Sequence, residues 1–355
     1  MQFVHGVIPT AACGREHGRR ARIVGGSSDG QTRLREDRRS TGLGLMLERF
    51  LAVICLAAGL SSCGGETQSS QVTSTAEPPV APVLQEITVN GVTLSHLRQG
   101  SGDPVVFVHG STLDYRAWAS QTEVLSERYE TIAYSRRYAY PNEPQEDAED
   151  FSVALHAQDL AAFLDSLNLG PVHLVGHSFG AFVSLLVARD RPDLVRSLTL
   201  GEPPAYSLIA STEEGSDLLQ DFQSTLASSG LAFADGDDIE GTRLFLTGVL
   251  GQAKYESLTE DYLSRVYVNL SEVKGTLRDR SALPPFTCED AAKVRAPTLL
   301  LAGQETRELF KRVQDSLASC IPNNEQAEIS GATHGLQIDN PTAFNETVLV
   351  FLAKH

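Results

Sequence analysis

The residue with the best context for covalent chemistry is Ser178, at the centre of Gly176-His177-Ser178-Phe179-Gly180. This Gly-x-Ser-x-Gly run follows the apolar stretch Val172-His173-Leu174-Val175. It precedes Ala181-Phe182-Val183-Ser184-Leu185-Leu186-Val187-Ala188, which is long enough for a helix. A strand, a sharp turn and a helix in that order would present the serine hydroxyl at a helix N-terminus as a nucleophile. Small residues two positions to either side are expected because the turn is strained and the helix packs on neighbouring strands, leaving no room for a Cβ. A serine at its free pKa is a weak nucleophile, so a base must take its proton and a third group must orient that base.

Positioning such groups requires a sizeable core. With 355 residues, 41% of them hydrophobic, the chain can hold one large α/β domain or two smaller ones. Residues 85–89 and 92–97, separated by Asn90-Gly91, read as a hairpin with a tight turn. Short strands are then expected at 105–108, 131–134, 172–175, 198–200, 298–301 and 325–329, and helices at 151–167, 181–190, 308–319 and 341–352. Strands alternating with helices predict a mostly parallel sheet covered on both faces and entered by an antiparallel hairpin. Between Pro203 and about Leu283 no good strand appears, but helical patterns do, at 216–228, 239–250 and 259–278. That interval is expected to form a helical lid over the carboxyl edge of the sheet.

The first 83 residues read as an address. Residues 1–45 show no periodicity, and eight arginines stand there against four acids. The formal net charge of −16 therefore becomes about −20 over the remainder, a balance that argues against nucleic acid or an anionic lipid surface as partner. Met46-Leu47-Glu48-Arg49 and the apolar run from Phe50 to Leu60 have the make-up of a signal peptide, too short for a stable membrane anchor. The run ends in Leu60-Ser61-Ser62-Cys63, which resembles the lipobox of bacterial lipoproteins, with Cys63 as the lipidated residue. Translation is accordingly expected to begin at Met46, leaving 1–45 as an untranslated or disordered extension, 46–62 as the signal peptide and 63–83 as a flexible tether. The implied location is the cell envelope, with contact to the membrane through the lipid anchor alone. Of five cysteines, Cys288 and Cys320 would then remain in the mature body, either as a disulfide or as two buried thiols. Neither has metal-ligand neighbours, so no metal site is expected.

Over residues 84–355 the chain resembles an α/β-hydrolase. The resemblance rests on Phe107-Val108-His109-Gly110-Ser111 after the third strand, on the Gly176 to Gly180 turn, on Ile329-Ser330-Gly331-Ala332-Thr333-His334-Gly335 before the last helix, and on Asp339-Asn340-Pro341-Thr342-Ala343-Phe344-Asn345 at its start. It implies an eight-stranded, mostly parallel sheet flanked by helices. The core would comprise 84–202 and 285–355, with the lid, 203–284, inserted after the sixth strand. In this family the order along the chain is serine, acid, histidine, which makes His334 the base, with His109 and His177 serving loop structure. Most relatives carry an aspartate a few residues after the strand at 298–301, but here Thr306 stands near that position. Some members carry the acid after the preceding strand, which points to Glu202, with Glu305 as the alternative and Glu308 behind it. The oxyanion hole would be the backbone N–H groups of Ser111 and Phe179. The Ser111 hydroxyl could add a donor or cap the following helix.

A serine nucleophile excludes the branches of the fold that attack an sp3 carbon with an aspartate. It suits acyl transfer from esters, lactones, thioesters or amides, with no cofactor, on a small molecule bearing a carbonyl group. Hydrolytic C–C cleavage with the same triad and a non-catalytic binding protein on the same fold are the alternatives. Arg136 and Arg137 could hold a substrate carboxylate, or pair with Asp114 or with Asp147, Glu149 and Asp150. Trp118 reads as core against the sheet rather than as a substrate contact. In the lid, Phe222, Leu244, Phe245, Leu246, Leu250 and Tyr262 suggest a partly apolar pocket.

Overall fold

The computed structural model describes residues 83–143, 148–279 and 281–355. The expected extension, the expected signal peptide, Cys63 and the expected tether as far as residue 82 lie outside the described residues, as does Asp147.

Eight strands form one sheet: β1 (Leu84–Val89), β2 (Val92–Gly100), β3 (Pro104–Val108), β4 (Glu130–Tyr134), β5 (Val172–His177), β6 (Val195–Gly201), β7 (Thr298–Gly303) and β8 (Asn324–Ile329). Their order in the sheet is β1-β2-β4-β3-β5-β6-β7-β8. The first two pairings are antiparallel and the rest parallel, as the alternation of elements predicts. Asn90 and Gly91 make the hairpin turn with φ of 47° and 76°, the left-handed pair that a two-residue loop between right-twisted strands requires.

Helices α1 (Ala119–Leu125), α2 (Val153–Leu167) and α3 (Phe179–Asp190) follow β3, β4 and β5. Each β3 neighbour along the chain faces the opposite way: Val106 and Val108 enter the core that contains Phe163 and Phe182, whereas Val105 and Phe107 pack with Trp118, Phe344 and Phe351. This period of two buries the strand on both faces, so its sequence is continuously apolar instead of alternating. Trp118 is fully buried and its ring lies 5.0 Å from that of Phe107, the core role expected of it.

Between β6 and β7 come α4 (Glu213–Ala234), α5 (Asp238–Leu250), α6 (Gln252–Glu256), α7 (Glu260–Tyr267) and α8 (Leu270–Arg278), then α9 (Cys288–Ala291). The chain closes with α10 (Glu308–Cys320), α11 (Leu336–Asp339) and α12 (Pro341–Leu352). The lid has its own small core of Phe233, Leu246, Leu250, Val266, Leu270 and Val273. Leu246 and Leu250 therefore hold the lid helices together, whereas Phe222 packs edge-on against Phe310.

The periodicity of 259–278 predicts one helix, and the structure makes two, broken at Asn269. The Asn269 side chain accepts the Tyr140 N–H at 2.7 Å and donates to Asp114 Oδ2 at 2.8 Å and to the Arg265 carbonyl at 2.8 Å. An asparagine committed to distant partners and to a carbonyl of its own helix competes with continuation of that helix. At the far end of the lid, a disulfide joins Cys288 to Cys320 with a Cα–Cα distance of 5.1 Å, fixing α9 to the end of α10.

Candidate active site

The order of the strands decides where a site can form. After β3 the chain places β4 on one side and then β5 on the other, so the loops leaving β3 and β5 diverge from a common crevice at the carboxyl edge. Lid residues reach the loops around this edge: Asn269 meets Asp114, Glu272 meets Arg136, and Lys254 meets Asp339.

Ser178 sits between β5 and α3 with φ 53° and ψ −123°, a left-handed conformation that costs a non-glycine residue about 1–3 kcal/mol. Local packing holds it there. Every residue from Phe179 to Ala188 is buried, and the Ser178 N–H donates to the Gly201 carbonyl at 2.7 Å. A Cβ on Gly180 would lie 2.3 Å from the carbonyl oxygens of both Val108 and His109, and one on Gly176 would lie 2.6 Å from the Ala181 Cα. The small residues flanking the serine are thus required by backbone on every side.

The hydroxyl does not stand alone. Ser178 Oγ lies 2.9 Å from His334 Nε2, and His334 Nδ1 lies 2.5 Å from Glu202 Oε2. Glu202 is fully buried at the end of β6, with φ 49°. Its other oxygen accepts the Gly303 N–H at 2.8 Å, and Oε2 also accepts the Thr306 hydroxyl at 2.9 Å. The threonine that stands near the expected acid position therefore supports a carboxylate arriving from the neighbouring strand. Glu305 is exposed, its backbone N–H donating to the Ala332 carbonyl at 2.8 Å, and Glu308 is exposed beside Arg312. Neither side chain belongs to the chain of groups that reaches Ser178.

Several contacts fix the imidazole. It stacks on Phe310 with ring centroids 4.1 Å apart, and the His334 carbonyl lies 2.7 Å from His177 Nε2. Burial, reinforced by the neighbouring His334, pushes the His177 pKa down to about 3, so a neutral His177 donates this hydrogen bond. Thr333 donates its N–H and its hydroxyl to Asp339 Oδ2 at 2.8 and 2.6 Å, and Lys254 of the lid lies 2.6 Å from Oδ1 of the same carboxylate.

The loop after β3 abuts this group, because a Cβ on Gly110 would fall 3.1 Å from that of Ser178. His109 is fully buried; its Nε2 accepts the Arg136 N–H at 2.9 Å and its Nδ1 lies 2.8 Å from the Gly110 carbonyl. Burial, then Arg136, lowers its pKa to about 3. Both extra histidines of the sequence motifs therefore serve the backbone. Ser111 follows Gly110 directly, and Phe179 is the first residue of α3, where an N–H has no partner within the helix. Asp114, not Ser111, caps the short 3-10 helix Tyr115–Trp118.

The arginines pair with acids other than those the sequence suggested. Arg137 binds Asp159 of α2 in a bidentate pair through its Nε and Nη2, at 2.6 and 2.7 Å. Arg136 is buried against Glu272 of α8. Among the described residues no cluster of histidine, cysteine, aspartate and glutamate has the arrangement of a metal site, and no helix is long and apolar enough to cross a membrane.

Comparison with known proteins bears on the fold. Residues 103–341 match the family model of the α/β hydrolase fold. RutD of Azorhizobium caulinodans, designated a carbamate hydrolase, is 26% identical over 258 residues, covering 71% of this chain and 92% of that relative. Among solved structures, Est816, described as an N-acyl homoserine lactone degrading enzyme, superposes with a TM-score of 0.61 at 22% identity over 75% of this chain and 100% of its own. Carboxylesterase CesB of Bacillus subtilis does so with a TM-score of 0.63 at 17% identity, over 78% and 93%.

Proposed function

This chain belongs to the α/β hydrolase fold family and is a hydrolase, and from that premise we propose that it is a membrane-tethered serine hydrolase cleaving an ester or related acyl bond of a small molecule. The observation that carries the reading is the unbroken sequence of contacts from Ser178 Oγ through His334 to Glu202 Oε2. In the proposed reaction Ser178 Oγ attacks the substrate carbonyl carbon while its proton passes to His334 Nε2. Glu202 holds the imidazole in the tautomer that leaves Nε2 free to accept, and stabilises the imidazolium once formed. The carbonyl oxygen becomes an anion facing the N–H groups of Ser111 and Phe179, each such donor contributing about 3–4 kcal/mol to the barrier reduction. His334 then returns its proton to the leaving alkoxide or amine, and an acyl-Ser178 ester remains. Water attacks this ester by the same route, restoring the serine.

The names borne by the relatives, a carbamate hydrolase, a lactone-degrading enzyme and a carboxylesterase, fall within acyl chemistry. The tether is supported by the apolar run from Phe50 to Leu60 and by Leu60-Ser61-Ser62-Cys63. A fluorophosphonate probe tests the chemistry: wild type is labelled and Ser178→Ala is not. An unlabelled wild type would instead favour a binding protein on this fold. For the anchor, Cys63→Ser should move the protein from the membrane fraction to the soluble one and abolish incorporation of labelled palmitate.

A further inference from the structure

Arg136 has five N–H donors on its guanidinium, and all five face acceptors. Nε donates to the His109 carbonyl at 2.9 Å, and Nη2 donates to the Gly110 carbonyl at 3.0 Å and to Glu272 Oε1 at 3.0 Å. Nη1 contacts Glu272 Oε2 and lies 3.4 Å from His156 Nδ1. The guanidinium carbon sits 4.7 Å from the centre of the Phe179 ring, and the side chain is 1% exposed. A saturated and buried guanidinium has nothing left for a substrate carboxylate.

What it does touch is specific. The Gly110 carbonyl belongs to the same planar peptide unit as the Ser111 N–H, and in a trans peptide the two point in opposite directions. Fixing that oxygen from below, with His109 Nδ1 at 2.8 Å as a second partner, aims the Ser111 N–H the opposite way. A donor on the carbonyl also polarises the peptide and strengthens its N–H as a donor. The other oxyanion candidate, Phe179, lies against the same guanidinium through its ring. Glu272 comes from the lid and binds Arg136 through both carboxylate oxygens, so a lid helix holds the guanidinium in place.

We propose that Arg136 is a positioning residue which sets the orientation of the 110–111 peptide, and hence the oxyanion donor of Ser111, under the control of Glu272 on α8. Seating the lid and assembling the oxyanion hole are then one event. The inference rests on the reading of Ser178 as nucleophile. It differs from a purely structural role, in which the ion pair only docks the lid.

The test uses Arg136→Lys, Glu272→Gln and the apolar double variant R136M/E272M, assayed with a chromogenic ester and with a fluorophosphonate. Lysine keeps the charge but cannot bridge two carbonyls and a carboxylate at once. The double variant removes both buried charges together, which commonly preserves folding. We expect kcat and the fluorophosphonate inactivation rate to fall together by about 10–100-fold in Arg136→Lys and in the folded double variant, with KM within about 3-fold, since removing one oxyanion donor outright costs about 10²–10³. If the double variant aggregates, the same split between kcat and KM in Glu272→Gln supports the proposal. A folded double variant with wild-type kcat, or losses confined to KM and melting temperature, overturns it while leaving the nucleophile reading intact. A wild type that is not labelled at Ser178 overturns both.

Discussion

Replacing Glu202 by Gln is the sharpest perturbation of the proposed mechanism, because the two side chains share a shape and the site allows no good placement of the amide. In the wild type, Oε1 accepts from Gly303, while Oε2 accepts from Thr306 and faces His334 Nδ1. Glutamine offers one oxygen and one NH2 group. If its oxygen takes the Gly303 N–H, the NH2 faces His334 Nδ1, which must become an acceptor. The imidazole proton then moves to Nε2 and no lone pair faces Ser178. If the oxygen faces His334 instead, the NH2 points at the Gly303 N–H, and two donors oppose each other in a fully buried site at a cost of about 1–3 kcal/mol. Loss of the charge-assisted hydrogen bond to the imidazolium adds about 1.5–3 kcal/mol in the transition state. Together these amount to about 2.5–6 kcal/mol, so kcat should fall by roughly 10²–10⁴-fold, a range whose upper end is the effect of the corresponding change in serine proteases. Steady-state hydrolysis of a p-nitrophenyl ester, with enzyme concentration set by a thermal melt and a protein assay, measures it, and Glu305→Gln is the control expected to stay near wild type. A folded Glu202→Gln enzyme within about 10-fold of wild type, or equal losses in both variants, would refute the assignment of the acid.

Gly180→Ala forces a Cβ to within 2.3 Å of two backbone oxygens that cannot yield, so it should exceed the usual overpacking loss of about 1–3 kcal/mol and lower melting temperature and activity together. A melting curve and kcat like those of wild type would contradict the close approach of β3 and α3. The C288S/C320S variant opens a bridge spanning 32 residues, worth about 3–4 kcal/mol by chain entropy, and should melt several degrees lower with kcat unchanged. Acid should destabilise the fold well above the carboxylate range. His109 and His177 are pushed from 6.5 to about 3, so between these values the unfolded chain binds the extra protons and stability falls as pH falls. At pH 5 each imidazole should remove about 2 kcal/mol relative to neutral pH, read from urea melts at pH 7.5 and 5; a flat stability across that interval would show that these rings are not kept neutral.

The parts of the site that are local in sequence were the legible ones. Gly176, Ser178 and Gly180 announce the turn because strand, turn and helix are contiguous, and central strands such as β3 and β5 show because burial on both faces leaves uninterrupted apolar runs. What the sequence hides is whatever depends on partners far along the chain. Arg136 and Glu272 are 136 positions apart, so nearby acids looked like better partners. The break at Asn269 comes from bonds to Asp114 and Tyr140, which no helical periodicity over 259–278 could contain. The lid residues Leu246 and Leu250 looked like pocket lining but pack inside the lid, because an insertion of five helices needs apolar surface for its own cohesion.

Thr306 shows how a displaced acid is accommodated. β6 and β7 are adjacent and in register, with Gly201 opposite Leu301, so a carboxylate leaving the end of either strand can reach the same imidazole. Coming from β6, it has to turn sideways across the end of β7, and Glu202 does so with a positive φ that a non-glycine residue adopts only under compulsion. Two donors from the β7 side, the Gly303 N–H and the Thr306 hydroxyl, hold it there. Thr306, which stands near the position where most relatives carry an aspartate, is thus half of the cradle for the glutamate that replaces it. The strain at Glu202 and the strain at Ser178 lie at opposite ends of one three-residue relay, with the stacked imidazole of His334 between them.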